Sequence, residues 1–123
     1  MDTNIVIAVF ANDSTVQARL TNAPEVFVPA IVLGELYYGA HKSSRVADNI
    51  QKISEFAANN AVLTIDTATA QEYGRIKNSL RAKGRPIPEN DIWIAAIAMQ
   101  YDLTLVTRDG HFGEVDGLGL ENW

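Results

Sequence analysis

The sequence contains no cysteine and only two histidines. The absence of cysteine excludes a disulfide framework, a thiolate zinc site and a cysteine nucleophile together. No apolar run approaches the roughly 20 residues that a membrane span needs, and the N-terminus lacks the basic region of a secretory signal. These absences predict a soluble protein of the reducing cytoplasm.

Basic residues are also in the minority. Ten lysines and arginines face fifteen acids, giving a formal net charge of -5, which by itself disfavours a nucleic-acid partner. However, half of the basic residues lie in the acid-free segment 75–85, at Arg75, Lys77, Arg81, Lys83 and Arg85. This segment is either a solvated helix face or a surface that grips phosphates.

The 123 residues are 47% hydrophobic and show no repeat or linker, which predicts a single domain over residues 1–123. Three short β-branched runs predict buried strands, at Val26–Val28, Val62–Ile65 and Thr104–Val106. A weaker strand is predicted at Leu118–Leu120. Stripes at helical spacing lie between them, one at Ile50, Ile53, Phe56 and Ala57 and another at Tyr73, Ile76 and Leu80. This alternation favours an α/β fold, a three-layer α/β/α sandwich around a parallel sheet.

In such a sheet, sites form beyond the carboxyl ends of the strands, so acids that follow strands are of most interest. Asp109 follows the apolar strand that ends at Thr107, although it could equally shape an Asp-Gly turn. Asp91 lies in the first turn of an apolar helix that follows Pro88, with Asn90 as a candidate N-cap. The helix dipole and free amides there stabilise a carboxylate, so Asp91 is either a helix-start residue or a cation ligand.

Two further acids stand out. Glu35 is the single charge in an apolar and aromatic stretch just beyond a strand, so it either reaches solvent or meets a metal ion or an arginine. Asp2 precedes Thr3, Asn4 and an apolar run, and a helix cap explains it equally well. His41 and His111 are expected to be structural.

Together, the four acids predict a magnesium site. Mg²⁺ prefers oxygen ligands and is usually held by a few carboxylates together with substrate phosphates. The absence of cysteine and the scarcity of histidine disfavour zinc.

Five segments in the same order resemble blocks of the PIN-domain ribonucleases, and specifically the VapC toxins of bacterial toxin-antitoxin pairs. They are DTNIVIA, LGELYYGA, YGRIKNSLRAKGRPIPENDIWIAAIA, LVTRDGHF and the closing LGLENW. The last block resembles the end of VapC toxins that act on initiator transfer RNA. The resemblance extends over essentially the whole chain.

The resemblance implies an endoribonuclease that uses Mg²⁺, or Mn²⁺ in its place, and that a cognate antitoxin silences. It also implies a homodimer that pairs again around antitoxin. The implied catalytic and metal-binding acids are Asp2, Glu35, Asp91 and Asp109, and the supporting polar residues are Thr3, Asn4, Asn90 and Thr107. In our mechanistic hypothesis Asp2 and Asp91 anchor one ion, and Glu35 and Asp109 help to hold it or a second one. A second hypothesis comes from the basic segment: Lys77, Arg81, Lys83 and Arg85 bind RNA phosphates.

One departure from the family pattern concerns the first strand. Relatives carry several apolar residues before the first aspartate, whereas only Met1 precedes Asp2 here, so we expect the first central strand to be truncated or missing. Two other functions remain open, a receiver-like phosphoacceptor domain and a non-catalytic acidic interaction module. A receiver needs a paired acid after the first strand and a lysine after the last, and neither is present.

Overall fold

The computed structural model describes residues 1–23 and 25–123. Helices and strands alternate along most of the chain. The helices are α1 (Thr3–Phe10), α2 (Ser14–Asn22), α3 (Ala30–His41), α4 (Val46–Ala58), α5 (Thr67–Lys83) and α6 (Glu89–Gln100), with a 3-10 helix at Gly110–Glu114. The strands are β1 (Phe27–Pro29), β2 (Ala61–Leu63), β3 (Leu105–Val106) and β4 (Leu120–Glu121).

The strands pair in parallel, as the alternation predicted. β1 pairs with β2, with Val28 opposite Val62, and β3 pairs with β4, with Leu105 opposite Leu120. The expectation that the second strand is buried was wrong. Val62 is 36% exposed and its neighbour Ala61 is exposed as well, whereas Val28, opposite Val62 on β1, is fully buried.

The two strand pairs flank the start of the chain. The amino group of Met1 donates to the carbonyl of Phe27 at 3.1 Å, and the amide of Asp2 donates to the carbonyl of Val106 at 3.2 Å. Within the described residues no strand joins β1 to β3, so the two pairs remain separate sheets with a space between them. A cleft of about 480 Å³ lies there, lined in part by Ile94 and Trp123. Burial lowers the pKa of the Met1 amino group to about 6.

The core is built around α6, which is apolar on all sides. Its segment from Ile94 to Ala98 is buried, which the continuous apolar run predicted. The helix begins at Glu89 after Pro88, and Pro88 occupies the N-cap position without a side-chain hydrogen bond. Asn90 is therefore not the N-cap that we expected but lies in the first turn beside Asp91.

Helix α5 packs along α6 and is well delimited at both ends. Asp66 and Thr69 form a reciprocal capping box at its start, and Gly84 ends it with a positive φ of 66°, a conformation that glycine adopts without strain. The predicted stripe is confirmed, since Ile76 and Leu80 are each 2% exposed. None of the helices in residues 1–23 and 25–123 is long and apolar enough to cross a membrane.

Candidate active site

An acidic pocket of about 470 Å³ lies where the starts of α1 and α6 meet α3 and the loop after β3. All four acids that the sequence singled out line it. Its described lining is Asp2, Thr3, Asn4, Glu35, Pro88, Glu89, Asn90, Asp91, Ile94, Asp109 and His111. No lysine or arginine belongs to that lining, and of its acids Glu89 forms an ion pair with Lys77 outside the lining.

Asp2 caps α1 and also lines the pocket. Its Oδ1 accepts a hydrogen bond from the amide of Ile5 at 3.2 Å, so it caps α1. Its Oδ2 accepts a hydrogen bond from the hydroxyl of Thr107. Asp2 is only 4% exposed, and this burial raises the pKa of its carboxyl group, whereas the bond from Thr107 acts in the opposite direction.

Thr107 connects two of the acids. Besides donating to Asp2, its Oγ1 accepts the amide N–H of Asp109 at 2.9 Å. Asp109 in turn caps the 3-10 helix, because its Oδ1 accepts the amide of His111 at 2.9 Å. The turn-forming role expected of Asp109 is thus real, and it orients the same carboxylate toward the pocket.

Asp91, Asp109 and His111 form a close cluster within the pocket. One ligand atom from each of these residues lies within 4.8 Å of the others. Nδ1 of His111 is 3.1 Å from Oδ1 of Asp109 and 3.5 Å from Oδ2 of Asp91. Burial, and next the charge of Asp109, raises the pKa of Asp91, with a smaller contribution from Glu35. These charges repel one another in the absence of a cation.

Glu35 reaches the pocket from α3. Its Oε1 accepts a hydrogen bond from the hydroxyl of Thr3 at 2.9 Å, and the described structure gives it no arginine or lysine partner. Thr3 therefore orients Glu35 much as Thr107 orients Asp2. Asn4 and Asn90 also line the pocket, so all of the supporting polar positions lie beside the acids or bind one of them.

The residues fit a divalent cation chemically. They supply hard carboxylate oxygens from four segments of the chain, and their mutual repulsion is relieved when a cation binds. The residues that could hold such an ion are Asp91 and Asp109 as a close pair, with Asp2 and Glu35 on the same pocket wall.

The basic segment is partly engaged within the chain. Nζ of Lys77 is 2.5 Å from Oε1 of Glu89, and Nζ of Lys83 is 2.8 Å from Oδ1 of Asp116. Arg81 forms no ion pair within the described residues, and neither does Arg85. Of the four residues expected to bind RNA phosphates, the two lysines therefore already have anionic partners in this state.

Sequence reasoning missed two members of the pocket. His111 was expected to be structural, yet it contacts both Asp91 and Asp109. Its position two residues after Asp109 was the available signal. Glu89 was not considered at all, although it occupies the same first helical turn as Asp91.

Comparison with known proteins identifies the family. The PIN domain matches residues 1–118. Ribonuclease VapC2 of Haemophilus influenzae is 39% identical over 126 residues, which cover 100% of this chain and 96% of the relative. The tRNA(fMet)-specific endonuclease VapC of Shigella flexneri is 35% identical over the same shares. The crystal structure of VapBC2 from Rickettsia felis, bound to a DNA fragment from their promoter, superposes with a TM-score of 0.90 at 30% identity, covering 99% of this chain and 96% of that one. The chain belongs to the PIN-domain family and, within it, to the VapC ribonucleases.

This membership confirms the resemblance and the predicted fold class, an α/β PIN-like fold with parallel strands. It also separates the chain from the receiver-like alternative. The assignment of individual acids to metal binding and catalysis remains a prediction.

Proposed function

We propose that this protein is a magnesium-dependent endoribonuclease toxin that hydrolyses phosphodiester bonds in RNA and that a cognate antitoxin neutralises. The observation that carries the proposal is the convergence of Asp2, Glu35, Asp91 and Asp109 on one pocket. Carboxylates gathered in this way repel one another, and a bound cation offsets that repulsion.

In this proposal Asp91 and Asp109 form the main binding pair for Mg²⁺, or for Mn²⁺ in its place, and Asp2 and Glu35 complete the carboxylate set. When bound, the cation supplies Lewis-acid activation of water and stabilises negative charge that develops on the phosphate. Asp91 lies in the first turn of α6, where the helix dipole favours the ionised form of its carboxyl group. Burial acts in the opposite direction and favours the protonated form. The hydroxyls of Thr3 and Thr107 hold Glu35 and Asp2 in fixed orientations.

Transfer RNA is the substrate class that we propose. The name of the Shigella flexneri relative specifies cleavage of tRNA(fMet), and that protein is aligned over the full length of this chain. Arg81 and Arg85, which form no ion pair within the described residues, remain available for phosphates. Lys77 and Lys83 would first have to exchange their carboxylate partners for phosphate.

The antitoxin is the protein partner that we propose. The matching Rickettsia felis structure is a VapBC2 complex, and FitAcB from Neisseria gonorrhoeae superposes with a TM-score of 0.83 at 27% identity. The homodimer implied by the family resemblance stays a prediction, as does its further pairing around antitoxin.

The decisive experiment is cleavage of initiator transfer RNA by the wild-type protein and by Asp91→Asn, with and without EDTA. We expect Asp91→Asn to lower the rate by about 100-fold or more, since loss of even an outer-shell partner of a metal site typically costs 10–100-fold. EDTA should abolish cleavage, and added Mg²⁺ or Mn²⁺ should restore it. Asp48→Asn is the matched control. Asp48 also lies in the first turn of a helix, α4, but it pairs with Arg45 and does not line the acidic pocket.

Undiminished cleavage by Asp91→Asn, or in EDTA, would refute the metal-dependent scheme. A wild-type protein that cleaves no RNA and binds Mn²⁺ only feebly in calorimetry would instead support the non-catalytic interaction module.

A further inference from the structure

His111 occupies an unusual position for a structural histidine. Its side chain is 53% exposed, so it contributes little to the core. The neighbouring Phe112, by contrast, is fully buried and anchors the same 3-10 helix. The imidazole instead lines the acidic pocket, where its Nδ1 lies 3.1 Å from Oδ1 of Asp109 and 3.5 Å from Oδ2 of Asp91.

A backbone hydrogen bond helps to keep the His111 imidazole beside the pocket acids. Its amide donates to Oδ1 of Asp109 at 2.9 Å, which ties the start of the 3-10 helix to one of the pocket acids. The imidazole therefore lies between carboxylates from two different elements, the end of β3 and the first turn of α6. The three ligand atoms span no more than 4.8 Å, a separation that one ion can bridge with small side-chain adjustments.

An imidazole changes which cation such a pocket prefers. Mg²⁺ is a hard ion that binds oxygen ligands, whereas first-row transition cations also accept imidazole nitrogen, with affinities that increase from Mn²⁺ toward Co²⁺ and beyond. A purely carboxylate pocket discriminates weakly between Mg²⁺ and Mn²⁺. Adding one nitrogen ligand shifts the balance toward the transition cations.

We infer that His111 is a further ligand of the metal site, through Nδ1, and that it makes the site select first-row transition cations such as Mn²⁺ and Co²⁺ over Mg²⁺. The inference rests on the proposed function, since it assumes that the acidic pocket binds a divalent cation. It adds a nitrogen ligand that the carboxylate pattern alone does not contain.

Calorimetric titration of the purified protein with Mg²⁺, Mn²⁺ and Co²⁺ separately tests the inference without any RNA. The titrations are run at about pH 8, where ordinary imidazoles are uncharged and free to bind metal. We expect His111→Ala to weaken Mn²⁺ and Co²⁺ binding by about tenfold or more and to change Mg²⁺ binding by less than about threefold. His41→Ala is the matched control, because His41 is the only other histidine, is exposed at the end of α3 and does not line the pocket.

A second variant separates metal ligation from hydrogen bonding to Asp109. His111→Asn keeps a side-chain amide that can donate to Asp109 but has no imidazole nitrogen. We expect it to lose the preference for Mn²⁺ and Co²⁺ as His111→Ala does. If His111→Asn kept the wild-type preference, or if His111→Ala weakened all three cations by the same factor, His111 would be only a hydrogen-bonding neighbour and the inference would be overturned.

Pulsed electron paramagnetic resonance of the Mn²⁺ complex tests the bond itself. We expect a hyperfine coupling to imidazole nitrogen in the wild type and in His41→Ala, and its loss in His111→Ala. Absence of the coupling from a wild-type protein that binds Mn²⁺ would overturn the inference while leaving the metal-dependent function intact. A wild-type protein that binds none of the three cations would overturn the proposed function instead.

Discussion

Thr107→Val should lower stability more than its small change in shape suggests. The substitution keeps the volume of the side chain but removes the hydroxyl of a residue that is only 5% exposed. That hydroxyl donates to the buried carboxylate of Asp2 and accepts the amide of Asp109. A hydrogen bond to a charged group contributes about 1.5–3 kcal/mol and a neutral one about 0.5–1.5 kcal/mol. We therefore expect the free energy of unfolding to fall by roughly 2–4 kcal/mol.

Urea denaturation followed by circular dichroism measures this change directly. For a chain of this size, each kcal/mol corresponds to about 4 °C in Tm, so thermal unfolding should shift by roughly 8–16 °C. Thr107→Ser keeps the hydroxyl and should recover most of the loss. Thr104→Val makes the same chemical change at an exposed position just before β3 and should stay within about 0.5 kcal/mol of the wild type.

The same substitution has a consequence for the site. The bond from Thr107 lowers the pKa of Asp2 against the effect of burial, so its loss should raise that pKa further. Divalent-cation affinity should then fall, because protons would compete more effectively with the cation for the Asp2 carboxylate. A Thr107→Val protein within about 0.5 kcal/mol of the wild type, with unchanged metal affinity, would refute the proposed link between Asp2 and Asp109.

Two further outcomes are expected. The pKa of Asp91 in the folded protein lies above its ordinary value of 3.8. The protonated carboxyl group therefore contributes its full stabilisation below pH 3.8, and this contribution is lost as the pH rises through the pKa of the folded state. In EDTA, Asp91→Asn should therefore be more stable than the wild type at pH 7 and should depend less on pH in urea denaturation; equal stability would argue against acid repulsion in the pocket. Charge reversal of Arg81 and Arg85 to Glu should weaken transfer-RNA binding and flatten its dependence on salt, whereas an unchanged affinity at low salt would place the phosphate contacts elsewhere.

Much of the fold was accessible from short-range pattern. The β-branched runs around Val28 and Val106 became parallel strands, and the stripe through Ile76 and Leu80 became the buried face of α5. Boundaries were less accessible. The sequence did not show whether α6 begins at Glu89 or after an N-cap at Asn90. Glu89 and Asn90 are both polar and both follow Pro88, so either residue could stand at the helix start.

Most of the candidate site was also predictable, for a related reason. Acids that follow parallel strands meet at one edge of the sheet, so Glu35 and Asp109 were found by their places after apolar runs. Asp2 precedes its apolar run and was singled out mainly through the family resemblance. Arg81 and Arg85 remained as a basic surface, but the ion pairs of Lys77 with Glu89 and of Lys83 with Asp116 depend on how α5 packs against neighbouring segments.

The sequence by itself determined the helices, the parallel strands and the acidic character of the site, because periodicity, capping residues and composition act over a few neighbouring positions. Tertiary structure alone decided that Thr107 binds an acid 105 positions away and that the half-exposed His111 lies beside Asp91 and Asp109. Those contacts depend on the relative positions of elements that are distant in the chain. Packing of the apolar faces sets these positions, and no local pattern encodes them.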